Sequence, residues 1–296
     1  MSFVATLVCR PTVPKLDAAI LARAGAALEV GDAVRVLSPG VAAEFDFDTL
    51  PANVADERLR SEFGAFPIDV FVQSNANRRK RLLIADMDST MIRQECIDEL
   101  AAELGLKDRI SAITERAMRG EIAFEPALRE RVALLRGLTA QSIETVLSNR
   151  IQLMPGGRTL VQTMKANGAY CALVSGGFTR FTKPISAMIG FDEHQANVLE
   201  EENGELTGTV REPILGRDAK RERLDQLIAE KTIDREHTLA VGDGANDLAM
   251  LEAAGLGVAY RAKPAVAAAA DARIDHGDLT ALLFLQGYRE DEFILS

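Results

Sequence analysis

Tryptophan is absent from this chain, and all aromatic residues together make up 5% of it. Proteins that hold single-stranded nucleic acid stack bases on aromatic faces, a mode with little to build on here. Positive charge is also in deficit: 34 Lys and Arg against 44 Asp and Glu leave a formal net charge of −10. Polyanions are bound by basic surfaces, so no nucleic-acid partner is expected. A small anion can still bind where a few positive groups converge in one cleft. The three cysteines, Cys9, Cys96 and Cys171, are odd in number and lack metal-ligand spacing. That excludes a disulfide framework and points to a reducing compartment. No apolar run approaches the ~20 residues that span a bilayer, so no membrane partner is expected. The opening stretch Met1–Arg10 has no basic leader and reads as a strand, not a signal peptide. The expectation is a cytoplasmic protein.

A chain of 296 residues favours two units. In residues 1–75 the pattern predicts strands over Phe3–Cys9, Ala33–Leu37, Ala43–Phe47 and Ile68–Val72. Leu16, Ile20, Ala24 and Leu28 recur at helical spacing, and a second helix is predicted over Val54–Phe63. The order β-α-β-β-α-β is the ferredoxin-like split arrangement. It resembles an ACT-type α+β domain, a module tied to amino-acid sensing or dimerisation, which implies a possible homodimer through this unit. Ser74–Arg81, rich in Asn, Arg and Lys, reads as a solvated connector.

Residues 76–296 alternate apolar strands with helices, the signature of an α/β parallel sheet. Strands are predicted at Leu82–Ala85, Ala169–Val174, Thr238–Val241 and Gly257–Tyr260, and Asn203-Gly204 marks a hairpin inside Val198–Val210. Residues 97–150 show helical periodicity and no strand, as a helical cap over the strand ends would.

Four polar clusters follow predicted strands, where open α/β sheets bind ligands. Asp86-Met-Asp88-Ser-Thr90 places two carboxylates at a strand exit, suited to a hard cation and to nucleophilic and proton-transfer work. A capped turn would also account for it. Ser175-Gly176-Gly177 offers backbone amides to an anion, or is simply a tight turn. Lys220 sits in the first turn of a helix, where the dipole opposes it unless an anion is near. Gly242-Asp243-Gly244-Ala-Asn246-Asp247 fits a loop wrapped around a metal, although turn chemistry uses the same residues. His194, His237 and His276 show no pairing with a nucleophile and are read as structural.

Taken in order, these clusters resemble the four motifs of the haloacid dehalogenase superfamily. DMDSTMIRQECIDEL (Asp86–Leu100), AMRGEIAFEPALRERVALL (Ala117–Leu135) and VGDGANDL (Val241–Leu248) are similar to its phosphoserine phosphatase family, with no departure at a motif position. The resemblance implies a HAD-like Rossmannoid sheet with a helical cap. It implies a phosphatase that releases serine and phosphate from O-phosphoserine, the last step of serine biosynthesis. In that reading Asp86 is the nucleophile and Asp88 the general acid and base, and Mg²⁺ is held by Asp86, the Asp88 carbonyl and Asp243. Asp247 stands behind the metal ligands. Lys220, Ser175, Gly176 and Asn246 hold the phosphoryl oxygens. Glu95 receives the substrate ammonium, Arg131 its carboxylate, and Met118 and Phe124 close the pocket. Arg131 lies among Arg129, Glu130 and Arg136, so a solvated helix face is the plain alternative. The rival functions are a phosphatase or phosphotransferase acting on phosphohomoserine or a nucleotide, and a non-catalytic amino-acid sensor. Intact Asp86 and Asp88 speak against the sensor, which needs no nucleophile.

Overall fold

The computed structural model describes residues 2–118 and 121–295, without the side chain of Met118. In the N-terminal unit, β1 (Phe3–Cys9), α1 (Ala18–Ala27), β2 (Arg35–Ser38), β3 (Ala42–Phe47), α2 (Ala52–Phe63) and β4 (Ile68–Ser74) follow one another. The strands form one antiparallel sheet in the order β2-β3-β1-β4, the split arrangement expected for a ferredoxin-like unit. Alternate residues of β1 and β3, among them Ala5, Leu7, Ala43 and Phe45, meet Ile20, Ala24, Leu59 and Phe63 from the two helices. Helical spacing gives each helix one apolar stripe for that contact.

The second unit is a six-stranded sheet in the order β12-β11-β10-β5-β6-β7, with every pairing parallel. Its strands are β5 (Leu82–Ala85), β6 (Tyr170–Phe178), β7 (Glu193–Asn197), β10 (Thr238–Gly242), β11 (Gly257–Tyr260) and β12 (Ala272–Ile274). All four residues of β5 are fully buried, as a central parallel strand covered on both faces requires. Helices α7 (Gly157–Ala166), α8 (Thr179–Ile189), α9 (Ala219–Lys231), α10 (Leu248–Ala253), α11 (Pro264–Ala269) and α12 (Ala281–Leu285) surround the sheet. The predicted hairpin is β8 (Leu199–Glu202) and β9 (Glu205–Val210), turning at Asn203 and Gly204, both at positive φ. β7 and β12 carry too many polar or too few residues to stand out as strands.

Between β5 and α7 the chain builds the cap: α3 (Cys96–Glu103), α4 (Lys107–Met118), α5 (Phe124–Ala133) and α6 (Ala140–Asn149). Its two tethers pair with each other, Ile92 bridging to Leu153 and the Met154 amide donating to the Met91 carbonyl over 2.9 Å. The chain crosses from β5 to β6 on one side and reaches β10 on the other. β5 is therefore the point where strand order reverses, and its carboxyl end is where such sheets bind ligands.

The connector is exposed as expected at residues 74–77, Arg79 and Arg81, and departs from expectation at two positions. Arg78 and Lys80 are 8% and 9% exposed, not solvated. Arg78 donates to Glu44 over 2.5 Å and to the Leu285 carbonyl over 3.2 Å, and Lys80 donates to the Glu236 carbonyl over 2.7 Å. A fully buried carboxylate in β3 demands counter-charge, and Arg35 of β2 and Arg78 of the connector supply it. Asp69 of β4 likewise accepts from the backbone amides of Asp275, His276 and Gly277. The two units are thus docked by buried polar contacts, beside a cavity of about 610 Å³ that α2, β4 and the 271–272 segment help to line.

Candidate active site

Asp86 is the first residue beyond β5, and its backbone amide still donates to the Val241 carbonyl of β10. That bond holds the chain in the sheet one step past the strand, so the side chain projects into the space above the sheet end. Its Oδ1 accepts from the Met87 amide over 2.8 Å and lies 2.7 Å from the Lys220 ammonium. Lys220 is the second residue of α9 and is 3% exposed. It also reaches Asp247 over 2.5 Å. A buried lysine against the positive end of a helix is costly, and these two carboxylates remove the conflict.

Asp247 is fully buried and closes the loop after β10. Its Oδ2 accepts from the amides of Asp243 and Gly244 at 3.1 and 2.9 Å, while its Oδ1 holds Lys220. Asp243 in turn accepts from the Thr90 hydroxyl over 2.9 Å. The outcome is that carboxylate oxygens of Asp86, Asp243 and Asp247 lie within 4.8 Å of one another. Fully ionised, three carboxylates and one ammonium leave this cluster two negative charges in excess. All-oxygen donors with that excess suit a hard divalent cation such as Mg²⁺.

Asp88 turns the other way. Its Oδ1 accepts from the Cys96 amide over 2.9 Å, at the N-terminus of the first cap helix, and its Oδ2 is 3.4 Å from the Ser175 hydroxyl. Gly177 lies against it so closely that a Cβ there would stand 2.7 Å from Oδ2. A side chain at 177 would therefore have to push the Asp88 carboxylate out of place.

Charge and burial tune these acids. Burial, with repulsion from Asp247 and Asp243, pushes the Asp86 carboxyl well above its ordinary range, while Lys220 pulls the opposite way. Burial and then the Glu95 carboxylate raise Asp88 to about 7, against the Cys96 group. Asp243 rises to about 6, again from burial first and Asp247 second. Burial disfavours the Lys220 ammonium, but Asp247 and Asp86 outweigh it and hold the pKa above the usual lysine value.

The cap supplies the other wall. Phe124, the first residue of α5, hangs over Gly176, where an added Cβ would meet its ring at 3.4 Å. Glu95 stands just before α3 and accepts from the Ser89 hydroxyl over 2.6 Å. Arg131 in α5 is neither a solvated charge nor an ion-paired one. Its Nε donates to the Ala127 carbonyl over 3.2 Å and its Nη1 to the Thr114 hydroxyl over 3.4 Å. Among the described residues, no carboxylate oxygen lies within 4.0 Å of its guanidinium. Burial lowers its pKa, opposed by Asp98 and Glu95. Asn246 folds back over Gly244 on the rim of the 242–247 loop. Met118 ends α4, and its side chain is outside the described residues.

The arrangement therefore gathers Asp86, Asp88, Ser175, Lys220, Asp243 and Asp247 at one strand-end cleft, with Phe124 above. Sequence reading took Thr90 as part of a capped turn and Gly177 as an anion-binding or turn glycine, and assigned no role to the Cys96 amide or Thr114. Thr90 and Gly177 stand inside the quoted motifs and were legible there; the Cys96 amide and Thr114 depend on tertiary contacts.

This constellation at a strand-order reversal agrees with a family comparison: residues 83–252 match the haloacid dehalogenase-like hydrolase family. The chain belongs to this family, in its phosphoserine phosphatase branch. A phosphoserine phosphatase of Archaeoglobus fulgidus is 43% identical over 246 residues, covering 82% of this chain and 71% of that one. A haloacid dehalogenase family hydrolase from Salmonella enterica serovar Typhi shares the fold of both units. Its TM-score is 0.83 at 31% identity, covering 96% of this chain and 98% of that one. A phosphoserine phosphatase solved as a phospho-aspartyl intermediate analogue is 39% identical, with a TM-score of 0.65, and covers 70% of this chain and 98% of that one.

Proposed function

We propose that the chain hydrolyses O-phosphoserine to serine and phosphate through an aspartyl-phosphate on Asp86, with Mg²⁺ as cofactor. The observation that carries the reading is the buried Asp86–Lys220–Asp247 set with Asp88, two residues on, raised to about 7. Met87 and Lys220 hold Oδ1 of Asp86, which leaves the second oxygen to attack phosphorus. As the Asp86–phosphorus bond forms, the ester oxygen leaves and takes the proton of Asp88. Water then attacks the phosphorus, Asp88 takes a proton back from it, and the bond to Asp86 breaks. One group must be an acid in the first half and a base in the second, and a pKa near neutrality serves both.

Asp86, the Asp88 carbonyl and Asp243 would hold the Mg²⁺, which supplies positive charge to offset that of the transferring group. Lys220 adds its own charge, and Ser175, Gly176 and Asn246 complete the phosphoryl-oxygen contacts. The half-buried Arg131 fork, without a carboxylate partner among the described residues, suits the substrate carboxylate, and Glu95 the ammonium. The name of the A. fulgidus relative supports the substrate, and the phospho-aspartyl structure of a relative supports the intermediate.

The test is a phosphate-release screen over phosphorylated metabolites, with and without Mg²⁺. O-Phosphoserine is expected to rank first and chelation to stop its turnover. High activity on sugar phosphates with none on phosphoserine overturns the substrate.

A further inference from the structure

At its carboxyl end β6 leaves its ladder with β7: Val174 pairs with Gln195, and pairing resumes only at Phe178 with Asn197. Between these pairs three residues of β6 stand against one of β7, Ala196, so Ser175, Gly176 and Gly177 bulge out. Such a bulge leaves backbone groups without a strand partner, and buried ones must be satisfied some other way. The Asn197 side chain, 2% exposed, does this. Its Nδ2 donates to the Gly176 carbonyl over 2.9 Å. The same amide grips a second segment, accepting from the Leu215 amide over 2.8 Å and donating to the Leu215 carbonyl over 3.4 Å. Leu215 belongs to the stretch that runs into α9 and Lys220.

We propose that Asn197 is a positioning residue that sets the distance between the Ser175–Gly177 bulge and the segment delivering Lys220. It rests on the reading of Ser175, Gly176 and Lys220 as holders of the phosphoryl group. One rigid amide has both its donors and its acceptor used by two loops that share no strand pairing. Hydrogen-bonded in this way, neither loop can shift without breaking a buried bond. Asn197 touches no reacting atom and lies outside the four motifs. Its effect should fall on whatever every phosphate ester has in common, and not on the groups the cap reads.

Asn197→Asp keeps the shape but turns the donors toward Gly176 and Leu215 into an acceptor facing carbonyls. Should that variant fail to fold, Asn197→Ser, smaller and uncharged, replaces it. The measurements are kcat and KM for O-phosphoserine and for an aryl phosphate, inhibition by orthovanadate, and thermal melting. A displacement of about 1 Å costs on the order of 10²-fold in rate. The expected result is a fall in kcat of about that size, equal for both substrates, with orthovanadate inhibition weakened in parallel. A folded variant with a lower Tm but unchanged kcat and orthovanadate inhibition overturns the proposal, as does a loss confined to O-phosphoserine. If the unmodified protein itself releases no phosphate from either ester, the phosphoryl-site reading fails first.

Discussion

At the strand ends, the Lys220 ammonium is 3% exposed and lies against two carboxylates at 2.7 and 2.5 Å. In the cap, Arg131 has two long hydrogen bonds and no carboxylate partner among the described residues, and Glu95 is exposed with one hydroxyl bonded to it. The strand-end half is hydrogen-bonded in place around Lys220, and its two excess negative charges call only for a cation. The cap half leaves charges for a ligand to complete. Preorganised charge is what accelerates a reaction, while groups left unpaired discriminate between ligands that do and do not satisfy them. On the proposed function, the two halves separate rate from choice of substrate.

The sharpest way to break that division is Asp86→Asn, which should stay folded yet lose at least about 10⁴-fold in kcat on phosphoserine and aryl phosphate alike. Residual turnover of either ester near the unmodified rate would remove Asp86 from the chemistry. Next in size is metal removal: chelation should lower phosphate release by about 10³-fold or more, and Mg²⁺ should restore it. The same ion should show in melting. Asp243 and Asp88, at about 6 and 7, lie above the 3.8 of an ordinary aspartate. In the metal-free protein their contribution is full below pH 4 and is lost as pH rises through 6 and 7. Mg²⁺ competes with those protons, so its gain in Tm should be about 5 °C at pH 8 and smaller at pH 5.

Smaller still is the test of the cap. Arg131→Ala should cost about 10²-fold in kcat/KM on phosphoserine, the scale of truncating one side of a charge pair, and leave the aryl phosphate within about threefold. Equal losses on both substrates would erase the separation. Within a single pH unit the smallest effect is that of the pH profile. With Asp88 protonated at the start of the reaction and raised to about 7, log kcat/KM should fall above neutrality by about one unit per pH unit, for both esters. A flat profile between pH 7 and 9 would assign the leaving-group proton elsewhere.

The strand-end half was legible because its residues follow uninterrupted apolar strands: Leu82–Ala85 leads into Asp86, and Thr238–Gly242 into Asp243. Short polar runs after fully buried strands can be seen without coordinates. β7 escaped because Glu-His-Gln-Ala-Asn has no apolar alternation, its polar side chains finding partners such as Tyr170, Thr182 and Gly176. Asn197 was hidden with it. Arg131 gave no signal apart from a family resemblance, since its surroundings are charged in sequence and become a partly buried pocket only through the packing of α4 on α5. The connector misled for a similar reason: a run of Arg and Lys looks solvated until a buried Glu44 is known to need it.

The Asp69 carboxylate that caps three consecutive amides has a consequence for the loop it holds. Residues 275–277 lead directly to Leu279, whose amide bonds the Pro155 carbonyl where the returning cap tether enters α7. Melting of the small sheet would strip those amides of their acceptor and leave Arg78 without Glu44. The two units should accordingly unfold as one cooperative block, with heat reaching the catalytic cleft through the ferredoxin-like sheet as readily as through its own core.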